Sequence, residues 1–246
     1  MKAEVNLLAA CKPWTREQIA ARAAHDIPEG WYVNVGIGIP VLVPNYVPPE
    51  REVIIHSENG ILGMGPTPEA DKINPWLINA SKKYVTLRPG GSYMHHADSF
   101  ALIRGGHLDL CVLGAFQVAE NGDFANWATS ENDHMPSVGG AMDLAVGAER
   151  VWVLMEHTTK HGRSKLMHRC TYPLTAPAAV KRVYSNLAVL DVTAEGFVVR
   201  EMVRGLSFEA LQEVTDAPLR MANEIAVLHL SPTGRGEDNL TRNLTN

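Results

Sequence analysis

The sequence is poor in the features that mark several large classes of protein. Its 246 residues contain only three cysteines, Cys11, Cys111 and Cys170, which lie far apart and form no Cys-x-x-Cys pair. This usage is typical of reduced thiols and argues against a disulfide scaffold or a zinc site. No apolar run approaches the ~20 residues that a membrane span needs. The formal net charge of −5 provides no basic surface for nucleic acid or an anionic membrane.

Several nucleotide-binding and hydrolase motifs are also missing. Neither Gly-x-Ser-x-Gly nor a Walker-type phosphate loop occurs in the chain. Gly36-x-Gly38 follows a predicted strand, but the third glycine of a dinucleotide fingerprint falls on Val41, and Pro40 interrupts the motif. A nicotinamide site is therefore not expected. The two glycines are still placed to bring backbone N–H groups to an anionic ligand.

What the sequence does contain is an alternation of strands and helices. Strands are predicted at 31–35, 53–56, 83–87, 108–118 and 150–155. Helices are predicted from the capping box at 15–18 to 26, from near Pro40, at 97–104 and at 207–214. Hairpins are indicated by the turn at 120–123 and by the pair 187–193 and 197–203.

This order predicts an α/β fold of three layers, αβα, with a mostly parallel open sheet and antiparallel hairpins added at an edge. No composition break divides the chain, so a single domain is expected over 1–246, with its core at about 15–220 and a polar tail at about 231–246. The N-terminus has one lysine and a very short apolar patch, unlike a signal peptide, so a cytoplasmic location is expected.

A glutamate stands at the end of the second predicted strand. Glu58 follows the apolar run at 53–55 and precedes Gly60, Gly63 and Gly65. Open α/β sheets bind ligands at the carboxyl ends of strands, and glycines let a ligand approach the backbone closely. A carboxylate with an ordinary pKa of about 4.3 is ionised at neutral pH and attacks without a partner base. Glu58 is therefore the candidate nucleophile, although solvated loops hold most glutamates.

Two histidine pairs have more than one interpretation. His157 and His161 have the i, i+4 spacing of a zinc helix, but the catalytic glutamate of that motif is absent and the surrounding composition is that of a loop. A solvated loop is favoured there, and no metal site is predicted. His95 and His96 precede a predicted helix. They are candidates to ligate a metal or bind an anion, or they simply lie among polar neighbours at a helix start.

A pair of glycines, Gly139-Gly140, opens another predicted helix. These residues are either a plain helix entry or a pair of amides that bind an oxyanion. The residues alone leave both interpretations open.

Several of these segments occur together in one known family. The stretch at 57–66, SENGILGMGP, resembles the signature of the B (β) subunit of family I CoA-transferases. Further blocks match in the same order: VNVGIGIP at 33–40, RGGHLD at 104–109, LGAFQV at 113–118, ANW at 125–127 and GGAMDL at 139–144. The resemblance extends over about 15–220 and implies a CoA-transferase β-subunit-like fold.

The resemblance implies a ping-pong reaction with a covalent intermediate. Glu58 attacks an acyl-CoA, the CoA thiolate converts the resulting anhydride into a glutamyl-CoA thioester, and an acceptor acid reverses these steps. Gly139-Gly140 resembles the loop that supplies a backbone N–H to the oxyanion. Coenzyme A thioesters are then substrates, and no cofactor is bound permanently. A separate A (α) subunit is implied, in a heterotetramer of two A and two B chains.

The acceptor acid is suggested by the segment at 93–100, YMHHADSF, which is closer to family members that act on 3-oxoadipate than to those that act on acetoacetate. The far carboxylate of 3-oxoadipate is an anion that His95 and His96 are placed to bind. We expect transfer of CoA from succinyl-CoA to 3-oxoadipate, a step in aromatic degradation through the β-ketoadipate pathway. Acetoacetate or another short 3-oxo acid is the alternative acceptor.

Three questions stay open in the sequence. Asn59, Gly36 and Gly38 are candidate substrate contacts without an assigned role. Arg104 either holds a substrate carboxylate or forms a structural ion pair. A hydrolase on this fold and a non-catalytic ligand sensor are the rival functions, although a sensor has no need of a nucleophilic carboxylate and the chain has no DNA-binding segment.

Overall fold

The computed structural model describes residues 11–227, and this part of the chain forms thirteen strands, four α-helices and two 3-10 helices. The strands are β1 Tyr32–Val35, β2 Ile54–Ser57, β3 Ile61–Met64, β4 Leu87–Tyr93, β5 Leu110–Leu113, β6 Gln117–Ala119, β7 Phe124–Ala125, β8 Val151–Met155, β9 Leu166–Met167, β10 Val180–Ser185, β11 Ala188–Thr193, β12 Gly196–Met202 and β13 Leu219–Val227. The α-helices are α1 Arg16–Asp26, α2 His96–Arg104, α3 Ala141–Gly147 and α4 Phe208–Glu213, and the 3-10 helices are Ile39–Asn45 and Ala70–Lys72.

Ten of the strands form one sheet in the order β13-β12-β11-β10-β8-β5-β1-β2-β3-β4. The five central strands, from β10 to β2, are mutually parallel. Antiparallel β3 and β4 extend one edge, and the β11–β12 hairpin extends the other, with β13 parallel to β12. The predicted α/β fold with a mostly parallel sheet and antiparallel additions is confirmed.

The centre of the sheet is apolar because it is covered on both faces. Every residue of β5 and β8 is buried, as expected of parallel strands under helices. Helix α1 packs with the 3-10 helix Ile39–Asn45 against β8 and β10, and α2 packs with α3, which also contacts β5. The remaining strands form a small sheet in the order β7-β6-β9.

Helix α1 is also attached to the sheet by ion pairs. The Arg22 guanidinium donates through Nε to Glu201 of β12 at 2.8 Å and also pairs with Asp26 at 2.6 Å. Arg22 and Glu201 are both buried. The capping box predicted at 15–18 is present, with the Thr15 hydroxyl accepting from the Gln18 N–H.

The strand order creates a crevice beside β1. The chain leaves β1 for β2 on one side, and it returns through β3, β4 and α2 to β5 on the other side. In open α/β sheets, ligands bind where neighbouring strands lead away in opposite directions, outside their carboxyl ends. The loops after β1, β2 and β5 meet at this position, and the loop after β2 carries Glu58.

The third predicted strand was wrongly placed at 83–87, because the pairing strand is β4, Leu87–Tyr93. The glycines that suggested a turn lie inside β4, where they allow close packing on β3: a Cβ on Gly63 would lie 2.8 Å from Gly91 Cα. Pro89 is tolerated because β4 is an edge strand, where the absence of an N–H leaves no ladder bond unmade.

The single strand predicted at 108–118 is likewise wrong, because the structure divides it into β5 and β6, which belong to different sheets. Residues 114–116 separate the two strands, and the Asn126 side chain donates to the Gly114 carbonyl there, at 3.1 Å. The helix predicted from near Pro40 is the 3-10 helix Ile39–Asn45, with Pro44 inside it.

Within residues 11–227, no helix is both long enough and apolar enough to cross a membrane. The polar tail predicted at 231–246 lies outside the described residues.

Candidate active site

Glu58 lies in a three-residue loop between β2 and β3. Ser57 faces Ile61 in the antiparallel pair, and the Gly60 N–H donates to the Ser57 carbonyl at 2.9 Å. Gly60 closes the loop with a φ of 110°, a conformation that disfavours any residue with a Cβ. The loop therefore holds Glu58 at the carboxyl end of β2, as the sequence predicted.

The same loop is attached to the chain that enters α2. The Met94 N–H donates to the Gly60 carbonyl at 2.9 Å, and a Cβ on Gly60 would collide with the Met94 carbonyl oxygen. On the opposite side, the Asn59 side chain donates to the Ile78 carbonyl at 2.8 Å, and the Ser57 hydroxyl accepts from the Ala80 N–H. Asn59 thus holds the loop in place through contacts within the protein.

The carboxyl of Glu58 is half-buried, and burial raises its pKa above the ordinary value, while the nearby charge of His96 lowers it. Burial is the larger cause. A carboxylate that has lost part of its water shell is more basic and is less well solvated before attack.

Beneath Glu58, a chain of buried polar groups links three elements. His56 of β2 is fully buried, with Nδ1 2.9 Å from Asn34 Nδ2 of β1 and Nε2 2.8 Å from Ser99 Oγ of α2. The Asn34 amide donates to Nδ1, so the neutral imidazole carries its proton on Nε2 and donates it to Ser99. Burial lowers the pKa of His56 to about 4, which keeps it uncharged at neutral pH.

His95 and His96 both lie at the start of α2, but they make different contacts. His95 is the N-cap, and its Nδ1 accepts from the Ala97 N–H at 3.1 Å. His96 Nδ1 is 3.1 Å from the Glu58 carbonyl oxygen, which can only accept, so this nitrogen carries a proton. Both side chains are exposed. Only His96 therefore contacts the nucleophile's residue directly.

Gly140, the N-cap of α3, lies against Glu58. A Cβ at this position would be 3.3 Å from Glu58 Oε2 and 2.9 Å from Phe100 Cζ. At Gly139 the same atom would meet nothing within 4 Å. The space beside the carboxylate therefore depends on the absence of a side chain at Gly140, whereas Gly139 lies in the open part of the loop.

The two glycines after β1 are not equivalent. Gly36 continues the strand pairing, because its N–H donates to the Val112 carbonyl at 2.8 Å and a Cβ would lie 2.9 Å from Leu113 Cδ2. Its amide is therefore already used within the sheet. Gly38 has a φ of 93° and begins the 3-10 helix Ile39–Asn45. Of the pair, Gly38 has the more exposed backbone for a substrate to approach.

An open groove runs along α2 away from Glu58. It has a volume of about 260 Å³ and is lined by His96, Ala97, Phe100 and Arg104. The His96 and Phe100 rings meet edge to face at 4.8 Å, and the Arg104 guanidinium carbon lies 5.4 Å from the centre of the Phe100 ring. Arg104 also forms a bidentate ion pair with Asp143 of α3, at 2.8 and 3.2 Å.

The prediction of a solvated loop around His157 and His161 is wrong for His157. His157 is fully buried, with Nδ1 2.9 Å from Ser185 Oγ and Nε2 2.9 Å from Thr215 Oγ1. Burial lowers the pKa of His157 to about 3, so it is a neutral core residue. In residues 11–227, no three His, Cys, Asp or Glu side chains are grouped to hold a metal ion.

Sequence reasoning missed Ser99 and Phe100, and it assigned no role to His56. Ser99 and Phe100 lie in the segment that drew attention for its two histidines, but their contacts are with β2 and α3, which are distant along the chain. The available signal was that His56 and Ser99 are polar residues on the buried sides of a predicted strand and a predicted helix. Buried polar groups need hydrogen-bond partners, so the two residues could have been expected to pair.

Comparisons with known proteins show the family to which the chain belongs. A family model described as "Coenzyme A transferase" matches residues 16–213. The B subunit of the 3-oxoadipate CoA-transferase of Acinetobacter baylyi is 57% identical over 205 residues, which cover 83% of this chain and 94% of that protein. The B subunit of the succinyl-CoA:3-ketoacid coenzyme A transferase of Helicobacter pylori is 44% identical over 202 residues, which cover 82% of this chain and 97% of that protein.

Among solved structures, the acyl-CoA transferase YdiF of Escherichia coli O157:H7 has a TM-score of 0.68 at 17% identity. The alignment covers 88% of this chain but only 43% of the YdiF chain, so the present chain spans less than half of that protein. This likeness concerns the fold alone. The family model and the two relatives described as B subunits together show that the chain belongs to the coenzyme A transferase family.

Proposed function

We propose that this chain is the catalytic β subunit of a CoA-transferase that moves CoA from succinyl-CoA to 3-oxoadipate, with Glu58 as the nucleophile. The observation that carries the proposal is the position of Glu58, which is half-buried on a tight loop at the strand crevice. Beside its carboxylate lie Gly140, which leaves room there, and Phe100, which lines the groove along α2.

The chemistry follows from a carboxylate at that position. A Glu58 oxygen attacks the thioester carbonyl of succinyl-CoA, the carbon–sulfur bond breaks, and the CoA thiolate leaves an anhydride between Glu58 and succinate. The thiolate then attacks the glutamyl carbonyl and releases succinate, which gives a thioester between Glu58 and CoA. The acceptor carboxylate attacks this thioester, and the same steps run in reverse. The thioester is exchanged rather than made anew, so ATP is not consumed.

Each attack passes through an oxyanion that needs hydrogen-bond donors. The backbone amides of Gly139 and Gly140 are proposed for this role, because Gly140 lies beside Glu58 Oε2. His96 lies at the same site and donates from Nδ1 to the Glu58 carbonyl oxygen. Gly38 and Asn59 are proposed to border the substrate, Gly38 with exposed backbone and Asn59 by holding the loop.

The acceptor is assigned by the relatives with the higher identities. Subunits named for 3-oxoadipate are 57% and 55% identical to this chain, whereas one named for 3-ketoacids is 44% identical. Acetoacetate or another short 3-oxo acid is the second candidate, supported by that 44% relative. His95 and His96 are candidates for the far carboxylate of 3-oxoadipate. If these side chains bind it, replacing both weakens turnover of 3-oxoadipate much more than that of acetoacetate, and equal losses would contradict this role.

A partner chain is part of the same proposal. Both relatives are named as the B subunits of their enzymes, and the YdiF chain contains more than twice the length that this chain matches. We therefore propose that the partner is an A (α) subunit, in an α2β2 heterotetramer in the cytoplasm. The isolated chain is expected to be inactive.

The proposal is tested by trapping the covalent intermediate. The chain is co-expressed with its A subunit, the complex is incubated with succinyl-CoA without acceptor, and the mass of this chain is recorded for wild type and Glu58→Gln. The expected result is an adduct on wild type with the mass of CoA less one water, which 3-oxoadipate discharges and which is absent from Glu58→Gln. Steady release of CoA without an adduct would instead indicate a hydrolase, and no reaction at all would contradict the donor or the catalytic role.

A further inference from the structure

One edge of the Arg104 guanidinium is hydrogen-bonded to Asp143, and the other edge is available to bind a ligand. Its Nε and Nη2 donate to the two carboxylate oxygens of Asp143. A guanidinium has five N–H donors in a planar fork, so Nη1 and the second Nη2 hydrogen remain on the end-on edge. Among the residues that the structure describes, none accepts a hydrogen bond from Nη1 of Arg104. The side chain is 63% exposed, so this edge is accessible.

The available edge lines the groove along α2, and one wall of this groove, Phe100, lies close to Glu58. His96, Phe100 and Arg104 are spaced at i, i+4 and i+8, and so they share one face of α2. Phe100 connects the two ends: its Cζ and Glu58 Oε2 both border the position of a Cβ on Gly140, and its ring carries the Arg104 guanidinium at 5.4 Å. Glu58 therefore lies near the aromatic wall of the groove, and a permanent cation follows about one helical turn (~5.4 Å) beyond Phe100.

We infer that Arg104 binds the far carboxylate of the acceptor acid and so selects a dicarboxylic 3-oxo acid over a monocarboxylic one. This inference rests on the proposed function, because it assumes that the acceptor's first carboxylate reacts at Glu58. Asp143 positions the guanidinium by occupying its side-on edge, and the end-on edge pairs with the incoming carboxylate in the bidentate geometry that arginine favours. The aliphatic chain of the acid lies along Phe100.

The assignment also separates the roles of the two histidines from that of Arg104. His96 is committed through Nδ1 to the Glu58 carbonyl, and His95 is committed through Nδ1 to the start of α2. His96 lines the groove at the start of α2 and His95 is the N-cap, whereas the far carboxylate of a six-carbon acid needs a cation further along. A guanidinium is charged at every physiological pH, unlike an imidazole. Arg104 is therefore better suited than either histidine to hold this carboxylate.

The test isolates the acceptor step. The complex of this chain with its A subunit is loaded with succinyl-CoA, freed of donor and succinate, and mixed with either 3-oxoadipate or 3-oxohexanoate. The second acid has the same carbon chain with a methyl group in place of the far carboxylate. The second-order rate constant for loss of the CoA adduct is measured for wild type, Arg104→Gln, Arg104→Lys and Asp143→Asn.

Arg104→Gln is expected to slow discharge by 3-oxoadipate about 10- to 100-fold, the range of a lost charge-assisted hydrogen bond, and discharge by 3-oxohexanoate by less than about threefold. Arg104→Lys restores part of the preference, because it keeps the charge without the fork. Asp143→Asn breaks the ion pair between α2 and α3 but keeps the guanidinium, so the preference for 3-oxoadipate survives.

Three outcomes would overturn the inference. If Arg104→Gln slows discharge by the two acids equally, and Asp143→Asn does the same, Arg104 only joins α2 to α3 through its ion pair. Loss of the preference in His95→Gln/His96→Gln with its retention in Arg104→Gln would place the far carboxylate at the helix start. A wild-type complex that loads normally but shows no preference between the acids would remove the need for a cation. Failure of the wild-type complex to load would instead contradict the proposed function itself.

Discussion

Gly140 at the start of α3 and Glu58 after β2 lie so close that one methyl group would fill the space between them. The added carbon would lie 3.3 Å from Glu58 Oε2 and 2.9 Å from Phe100 Cζ. The backbone of Gly140 has a φ of −71°, which any residue adopts. Glycine is therefore needed at this position for space rather than for backbone conformation.

Gly140→Ala is accordingly expected to lower kcat/KM about 10- to 100-fold, because Phe100 or Glu58 has to shift and small displacements of reacting groups are costly. Gly139→Ala is the matched control, since its Cβ would meet nothing within 4 Å. Its effect should be several times smaller. Steady-state kinetics of the assembled complex provide the measurement, and equal effects of the two substitutions would contradict a steric role for Gly140.

The acid limb of the pH profile should report the state of Glu58. The nucleophile is the carboxylate, and burial raises its pKa, so kcat/KM should fall with decreasing pH at a value above that of an ordinary glutamate. His96→Gln removes the charge that lowers this pKa and should move the limb to still higher pH. His95→Gln should leave the position of the limb unchanged. A limb that stays in place in His96→Gln would show that the two groups are not coupled.

The buried bond between His56 and Ser99 should contribute to folding. Ser99→Ala leaves the Nε2–H of a buried imidazole without an acceptor, which costs about 1–3 kcal/mol of unfolding free energy. Ser92→Ala on exposed β4 is the control and should change stability by less than about 0.5 kcal/mol. Urea unfolding monitored by circular dichroism measures both. A neutral Ser99→Ala would mean that water takes the place of the hydroxyl.

The pH dependence of stability should show the two buried histidines. Their pKa values in the folded state are about 4 for His56 and about 3 for His157, below the ordinary 6.5, so the unfolded chain binds more protons in this range. Their contribution is complete above pH 6.5 and is lost as the pH falls toward these values. His56→Gln should therefore flatten the slope of stability between about pH 6.5 and 4. An unchanged slope would mean that His56 is charged in the folded protein.

The ion pair between Arg22 and Glu201 should be worth far more than one at the surface. Glu201→Ala leaves a buried guanidinium with one partner fewer, and the expected loss is about 3–5 kcal/mol. Glu149→Ala removes an exposed pair with Arg150 and should cost less than about 1 kcal/mol. Thermal or urea unfolding of the two variants compares them directly, and similar losses would contradict the importance of burial.

The sequence predicted the parts of the fold that depend on local pattern. The capping box of α1, the buried strands around 31–35 and 150–155, and the β11–β12 hairpin are all encoded by neighbouring residues. It misplaced β4 because proline and glycines usually mark turns, and only pairing with β3 makes this stretch a strand. β5 and β6 are predicted as one strand because no local pattern shows that the Asn126 side chain binds the Gly114 carbonyl, directly after β5.

The candidate site was predictable to the same extent. Glu58 was recognised because a strand end and close-approach glycines are adjacent in sequence. The buried bond between His56 and Ser99, and the position of Phe100 beside Gly140, were not predictable, since these contacts join β2, α2 and α3 and have no period along the chain. His157 was misjudged for the same reason: Ser185 and Thr215, which satisfy it, lie 28 and 58 residues away.

The burial of the cysteines has a consequence for the reaction proposed here, which releases a CoA thiolate beside this chain. A protein thiolate in the same place would exchange with oxidised CoA and end as a mixed disulfide. Burial raises the pKa of all three cysteines, to about 11 for Cys170 and well above the ordinary value for Cys111, whose thiol lies 3.9 Å from Asn34 beneath the loop. Their thiols stay protonated at neutral pH, so the reactive sulfur at Glu58 belongs to the substrate rather than to this chain.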